Sequence, residues 1–303
     1  MHGLARLSNA DGVIAALALD QRSSLRKMMG GNVSDRQLRE FKSAVTKALS
    51  PYASAILLDP DYGLDAAANR DAACGLLLAY EVDGYENPRP HKMLAIPPRS
   101  SVQRLKDQGA QGIKILLSYT PFDDQTANDE KHALIERIGC ECAGAGLPFF
   151  LEPVGYDPAG LDPRGPEFAR LKPEIVIRSM REFSQPRYRV SVLKVEFPVN
   201  LAHDVYSHSE ALDFYRQADA ATALPYIYLS AGVSLAQFTR QLEVANEAGV
   251  AYCGVLCGRA IWQDGACIYA RSGLDALNSW LATEGVRNIR AVNECLKSCA
   301  ARP

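Results

Sequence analysis

Two lysines of this chain lie inside apolar runs, where a lysine can serve as a nucleophile. Lys194 belongs to Val192-Leu193-Lys194-Val195-Glu196-Phe197-Pro198, a stretch that reads as a strand. Strand side chains alternate between faces, so Leu193, Val195 and Phe197 share one face and Val192, Lys194 and Glu196 the other. A buried ammonium needs a partner or gives up its proton, and a neutral amine attacks carbonyl carbon. Lys114 sits in a second such run, on a face with Leu116 and Ser118 and opposite Ile113, Ile115 and Leu117. The pair suits Schiff-base chemistry on a ketone. Lys194 would be the nucleophile, and the charge of Lys114 would repel a proton from it and assist proton movements. A carboxylate must then take a proton from a substrate hydroxyl as a C–C bond breaks, and shuttle protons as carbinolamine collapses to imine. Glu152, which shares a face with Phe150, and Asp20 are the candidates. The competing reading is a set of buried structural ion pairs, Lys194 with Glu196 or Lys114 with Glu152. Two lysines in strand interiors of one chain weigh against it.

A second set of residues suits an anion. Leu229-Ser230-Ala231-Gly232-Val233-Ser234 and Gly254-Val255-Leu256-Cys257-Gly258-Arg259 are strand ends running into small residues. Gly232 and Gly258 would let backbone N–H groups approach a phosphate, Ser230 would donate to it, and Arg259 would grip it. Turn glycines beside a surface arginine are the plainer alternative for either stretch alone. Two stretches on successive strands favour the anion site.

The elements that must position these residues follow from the apolar pattern. Eight short apolar runs cover residues 13–20, 55–60, 76–81, 112–119, 148–153, 190–198, 225–232 and 252–259. Segments with helical apolar spacing lie between most of them, at residues 34–49, 128–145 and 235–248 among others. Strands alternating with helices predict a parallel sheet, and nearly all-apolar strands predict one covered on both faces. Eight such units predict a single-domain (β/α)₈ (TIM) barrel over residues 1–303. An open doubly wound sheet would carry a Gly-rich loop after its first strand, and Asp20-Gln21-Arg22-Ser23 is not one. The polar strand ends (Asp20, Asp59, Glu81, Glu152 and those named above) are then expected at one mouth. Residues 155–166 and 200–209, the latter carrying His203 and His208, read as loops above that mouth. The C-terminal segment, residues 273–303, is helical in pattern and is expected on the outside of the barrel.

Composition narrows the function classes. A net charge of −2 offers no general attraction to nucleic acid or to an acidic membrane. No apolar span is long enough to cross a bilayer, and the N-terminus lacks a signal-peptide pattern. Eight cysteines without a secretion signal predict reduced thiols in a cytoplasmic protein. None of the five histidines, His2, His91, His132, His203 and His208, lies inside a strand run, so no catalytic metal is expected. The partner expected is a small anionic molecule, with a homo-oligomer formed through the outer helices.

Taken together, Ala18-Leu19-Asp20-Gln21-Arg22, residues 56–64, Val192-Leu193-Lys194-Val195-Glu196, residues 226–233 and Gly254-Val255-Leu256-Cys257-Gly258-Arg259-Ala260 resemble the tagatose 1,6-bisphosphate aldolases. The resemblance runs from about residue 13 to about residue 293, with the motifs in family order. It implies a class I, cofactor-free and metal-independent aldolase. Such an enzyme splits tagatose 1,6-bisphosphate, and stereoisomers such as fructose 1,6-bisphosphate, into dihydroxyacetone phosphate and glyceraldehyde 3-phosphate. By position it makes Lys194 the Schiff-base lysine and Glu152 the acid/base glutamate. It places Lys114 and Asp20 beside them, Ser230 and Arg259 on the ketone-side phosphate, and Gln21 and Arg22 on the distal part of the substrate. The stretch Leu151-Glu152-Pro153-Val154-Gly155-Tyr156 departs from the family wording after the glutamate, which bears on distal selectivity. The aldolases of 6-deoxy-6-sulfofructose 1-phosphate share the lysine, glutamate, serine and arginine positions. A non-catalytic sugar-phosphate-binding regulator is the alternative from another class.

Overall fold

A computed structural model of the chain describes residues 3–83 and 89–298. His2, Cys299 and the rest of the C-terminal segment beyond residue 298 lie outside the described residues. Eight parallel strands close on themselves in sequence order: β1 (Ile14–Leu19), β2 (Ala55–Leu58), β3 (Gly75–Ala79), β4 (Gly112–Tyr119), β5 (Phe149–Gly155), β6 (Val192–Val195), β7 (Tyr226–Leu229) and β8 (Gly254–Cys257). Closure comes from β1 pairing with β8 in the register Ile14 to Gly254 and Leu17 to Cys257. The expected barrel is the observed one, with strands shorter than most of the apolar runs.

The helices are α1 (Ser23–Met28), α2 (Asp35–Leu49), α3 (Leu64–Ala67), α4 (Val102–Asp107), α5 (Gln125–Ala145), α6 (Pro166–Phe183), α7 (His208–Ala220), α8 (Leu235–Ala248), α9 (Arg259–Trp280) and α10 (Val286–Cys295). Three start on the same local chemistry. Ser34, Ser207 and Ser234 each accept a hydrogen bond from the backbone N–H three residues on, and the Gln37, Glu210 and Gln237 side-chain oxygens accept one from the cap residue's own N–H. Each reciprocal cap satisfies two otherwise orphaned donors and contributes about 1 kcal/mol.

Alternation along the strands divides the core into two layers. Leu193 and Val195, with Ile113, Ile115 and Leu117, pack outwards against the helices. Val192, Phe150, Ala18, Leu57 and Ala79 fill the interior. The side chains that share the inner parity but lie nearer the C-terminal strand ends are the polar ones, so a packed core passes directly into a polar mouth. Of the C-terminal segment, α10 buries Asn288, Ile289 and Val292. Trp262 and Tyr269 of α9 meet Phe41 of α2 edge-on, with centroids 5.8 and 5.9 Å apart. Trp262 also donates to Ala18 O at 2.8 Å, joining α9 to β1 directly beneath the mouth.

Candidate active site

Strands β4, β5 and β6 bring Lys114, Glu152 and Lys194 into a row. Glu152 Oε1 lies 2.8 Å from Lys194 Nζ, and Glu152 Oε2 lies 2.9 Å from Lys114 Nζ. All three side chains are buried. Asp20, just past β1, places Oδ2 2.9 Å from Lys114 Nζ, and Glu81, just past β3, places Oε1 at 2.7 Å. Two ammonium groups therefore face three carboxylates.

That count alters the expectation for Lys114. Rather than a bare positive charge acting on Lys194, it is an ammonium enclosed by carboxylates, one of which stands between the two lysines. Burial alone would push its pKa down, but Asp20, Glu152 and Glu81 together outweigh burial and raise it well above 10.5. Asp20 mirrors it. Burial would raise its carboxyl, and Lys114 and then Lys194 hold it well below the ordinary carboxylate range. Lys114 is a fixed ammonium and Asp20 a fixed carboxylate.

The other side of the mouth is built by β7, β8 and the start of α9. Ser230 and Arg259 line the same pocket as the two lysines, together with Ala231 and Gly258. Ala231 holds φ +48° and Gly232 φ +76°, so the chain turns sharply here with a non-glycine residue in the left-handed region. Gly258 lies so close to β1 that an added Cβ would sit 2.6 Å from Ala18 O. It caps α9 without a side-chain acceptor, leaving the first N–H groups of that helix beside Arg259. The part played by Gly232 differs from the expectation. It does not line the pocket; an added Cβ would meet the Arg259 guanidinium at 2.7 to 3.0 Å. Gly232 is the floor on which that guanidinium rests.

Gln21 and Arg22 lie at the β1 side of the pocket. Arg22 is buried, with Nη1 2.9 Å from Asp61 Oδ2 and Nη2 2.8 Å from Glu81 O. Buried side-chain atoms without a hydrogen-bond partner gather on residues that line this pocket: Asp20 Oδ1, Gln21 Oε1, Arg22 Nε and Glu81 Oε2. Such atoms are costly when buried, and their concentration in one pocket marks it as a polar-ligand site.

Several other polar residues have structural partners. Asp59, expected at the mouth, is fully buried against Lys42 of α2 and accepts from Tyr62 N at 2.8 Å. Glu196 accepts from Gly155 N at 2.8 Å and pairs with Lys172 of α6 at 3.1 Å, so it fixes the end of β5. His203 donates to Arg164 O at 2.7 Å, and His208, the first residue of α7, pairs with Glu247 at 2.7 Å. Cys74, Cys142 and Cys257 are buried free thiols pushed up to about 12 by burial. Among the described residues no group of three His, Cys, Asp or Glu side chains is arranged for a metal ion.

Glu81 was recognisable as a polar strand end but not as a site residue. Its parity with Leu77 and Ala79, both interior, was the available signal. Its nearness to Lys114 depends on the register Ala79 to Lys114, which only strand pairing sets.

Comparison with known proteins adds to this geometry. The family described as DeoC/LacD family aldolase matches residues 14–264. The chain is 46% identical to tagatose 1,6-diphosphate aldolase 2 of Enterococcus faecalis (strain ATCC 700802 / V583), over 98% of this chain and 93% of that protein. It is 45% identical to tagatose 1,6-diphosphate aldolase of Staphylococcus aureus (strain MW2), over 97% and 94% of the two chains. Its fold is similar to a Plasmodium falciparum fructose-bisphosphate aldolase, with TM-score 0.70 at 13% identity over 100% of this chain and 94% of that one. It is also similar to a Schiff-base-forming fructose-1,6-bisphosphate aldolase, with TM-score 0.62 at 15% identity over 97% and 98%.

Proposed function

We infer, because this chain belongs to the DeoC/LacD family of aldolases, that it cleaves tagatose 1,6-bisphosphate through an imine on Lys194. The observation that carries the mechanism is Glu152, whose two oxygens reach Lys194 and Lys114 at 2.8 and 2.9 Å. Glu152 takes a proton from Lys194, and the neutral amine attacks the C2 ketone to give a carbinolamine. Glu152 passes a proton to the departing hydroxyl, water leaves, and the cationic imine forms. A base removes the C4 hydroxyl proton, the C3–C4 bond breaks, and its electron pair flows into the imine. Glyceraldehyde 3-phosphate departs, the enamine is protonated at C3, and water releases dihydroxyacetone phosphate. We assign the proton transfers to Glu152. Asp20, fixed as a carboxylate by Lys114, accepts a hydrogen bond from a substrate hydroxyl.

Ser230, the N–H groups around Gly258 and Arg259 hold the ketone-side phosphate, which delivers C2 to Lys194. Gln21 and Arg22 face the distal part. Replacing Gly232 by alanine then tests the phosphate site without replacing any of its ligands. The new Cβ displaces the Arg259 guanidinium and occupies a strained backbone position. A charged hydrogen bond to phosphate is worth about 1.5–3 kcal/mol, so KM should rise by roughly 10- to 100-fold with a smaller change in kcat. Steady-state kinetics read both, and an unchanged KM would remove Gly232 from this role.

The reading includes a single catalytic domain, a homo-oligomer and a cytoplasmic setting. Among the described residues no helix is long and apolar enough to cross a membrane. The experiment that tests the substrate is a panel of tagatose, fructose, sorbose and psicose 1,6-bisphosphates with 6-deoxy-6-sulfofructose 1-phosphate. The bisphosphates of tagatose and fructose are expected to be turned over, and the sulfosugar at roughly a tenth of their kcat/KM or less. A preference for the sulfosugar moves the chain to that activity. Tight binding without any turnover makes it a regulator.

A further inference from the structure

We propose that Glu81 is a positioning residue for the cleavage reaction: its carboxylate fixes Lys114 while its main-chain carbonyl fixes Arg22. The inference rests on the Schiff-base reading above. Glu81 Oε1 lies 2.7 Å from Lys114 Nζ, and Arg22 Nη2 donates to Glu81 O at 2.8 Å. Only 2% of the residue is exposed, and Oε2 has no hydrogen-bond partner.

The backbone on either side of Glu81 is pinned. Tyr80 N–H donates to Lys114 O at 3.0 Å, and Val82 N–H donates to Ala95 O at 2.9 Å. Glu81 is thus tied to Lys114 twice, through the neighbouring main chain and through its own side chain.

The chemistry gives this third carboxylate a task. Glu152 changes protonation in every cycle, and while neutral it no longer attracts Lys114. With Asp20 as the sole remaining anion, the ammonium would swing towards β1 and lose its place beside Glu152. Glu81, which takes no proton in the mechanism, holds Lys114 through that interval. The same residue anchors Arg22, so the proton-handling and distal ends of the pocket share one fixed point.

A double-mutant cycle tests this. In the otherwise wild-type chain, Glu81→Ala should lower kcat by roughly 10- to 100-fold with KM within about threefold, as for a small misplacement of catalytic groups. In a Lys114→Met background the same substitution should cost less than about threefold, because the group it positions is gone. Single turnovers with enzyme in excess extend the measurement to the slow variants. Glu81→Gln keeps the shape and an oxygen for Lys114, and should lose less than Glu81→Ala. If the alanine variant does not fold, the glutamine variant is read by the same cycle. Equal losses in both backgrounds, an unchanged kcat, or a loss confined to KM overturns the proposal. Failure of the Schiff-base reading looks different: the unsubstituted chain itself then gives no borohydride-trapped adduct.

Discussion

Arginine in place of Lys194 is expected to abolish cleavage and to leave phosphate binding in place. A guanidinium stays protonated and cannot form the imine. It retains the positive charge beside Glu152, so the cluster of three carboxylates and two cations keeps its balance. Loss of a covalent nucleophile typically lowers kcat on the order of 10⁴-fold or more. Inorganic phosphate and dihydroxyacetone phosphate should still bind, because Ser230, Gly258 and Arg259 come from β7, β8 and α9 and not from β6. A coupled assay of glyceraldehyde 3-phosphate release gives the rate, and calorimetry the binding. Lys194→Met checks the same point without a bulky cation. Turnover within a factor of about ten of wild type in either variant is incompatible with nucleophilic catalysis by Lys194.

Glutamine at position 152 gives the second large effect. It preserves volume at a buried position and removes the group proposed to move protons at the imine. General acid–base catalysis is worth about 10²- to 10⁴-fold, and kcat should fall by that amount. KM should change little, since no phosphate contact is lost. The substitution also leaves the two lysines without the carboxylate between them. The variant should therefore unfold at lower temperature, in keeping with removal of one partner from a buried charge set. A thermal melt and steady-state kinetics on the same preparation separate the two consequences. A kcat within about threefold of wild type would show that Glu152 is not the proton carrier.

Much of this site was legible before the fold was known because strand parity is a strong rule. A lysine that alternates with residues of the inner layer must point inwards, and this placed Lys114, Glu152 and Lys194 on one side of their strands. What alternation does not carry is distance between strands. The enclosure of Lys114 joins residues 94 and 33 positions apart along the chain, from past β1 and past β3. Only barrel closure sets those separations, so charge repulsion between two lysines looked plausible and a carboxylate cage did not. The same limit hid the true settings of Asp59 and Gly232. A carboxylate at a strand end can face the mouth or turn to a helix, and Lys42 of α2 decides it here. A turn glycine can approach a ligand or support a ligand-binding side chain, and the guanidinium of Arg259 decides that. Helix starts were more local. The Ser-x-x-Gln caps of α2 and α8 settle within four residues what the apolar spacing already indicated.

The most direct measurement is borohydride reduction in the presence of dihydroxyacetone phosphate, followed by peptide mapping by mass spectrometry. Attack by Lys194 on the ketone predicts one covalent adduct, on Lys194, with activity lost in proportion to labelling. An adduct on another lysine, Lys114 included, or an active enzyme that yields none, contradicts the mechanism.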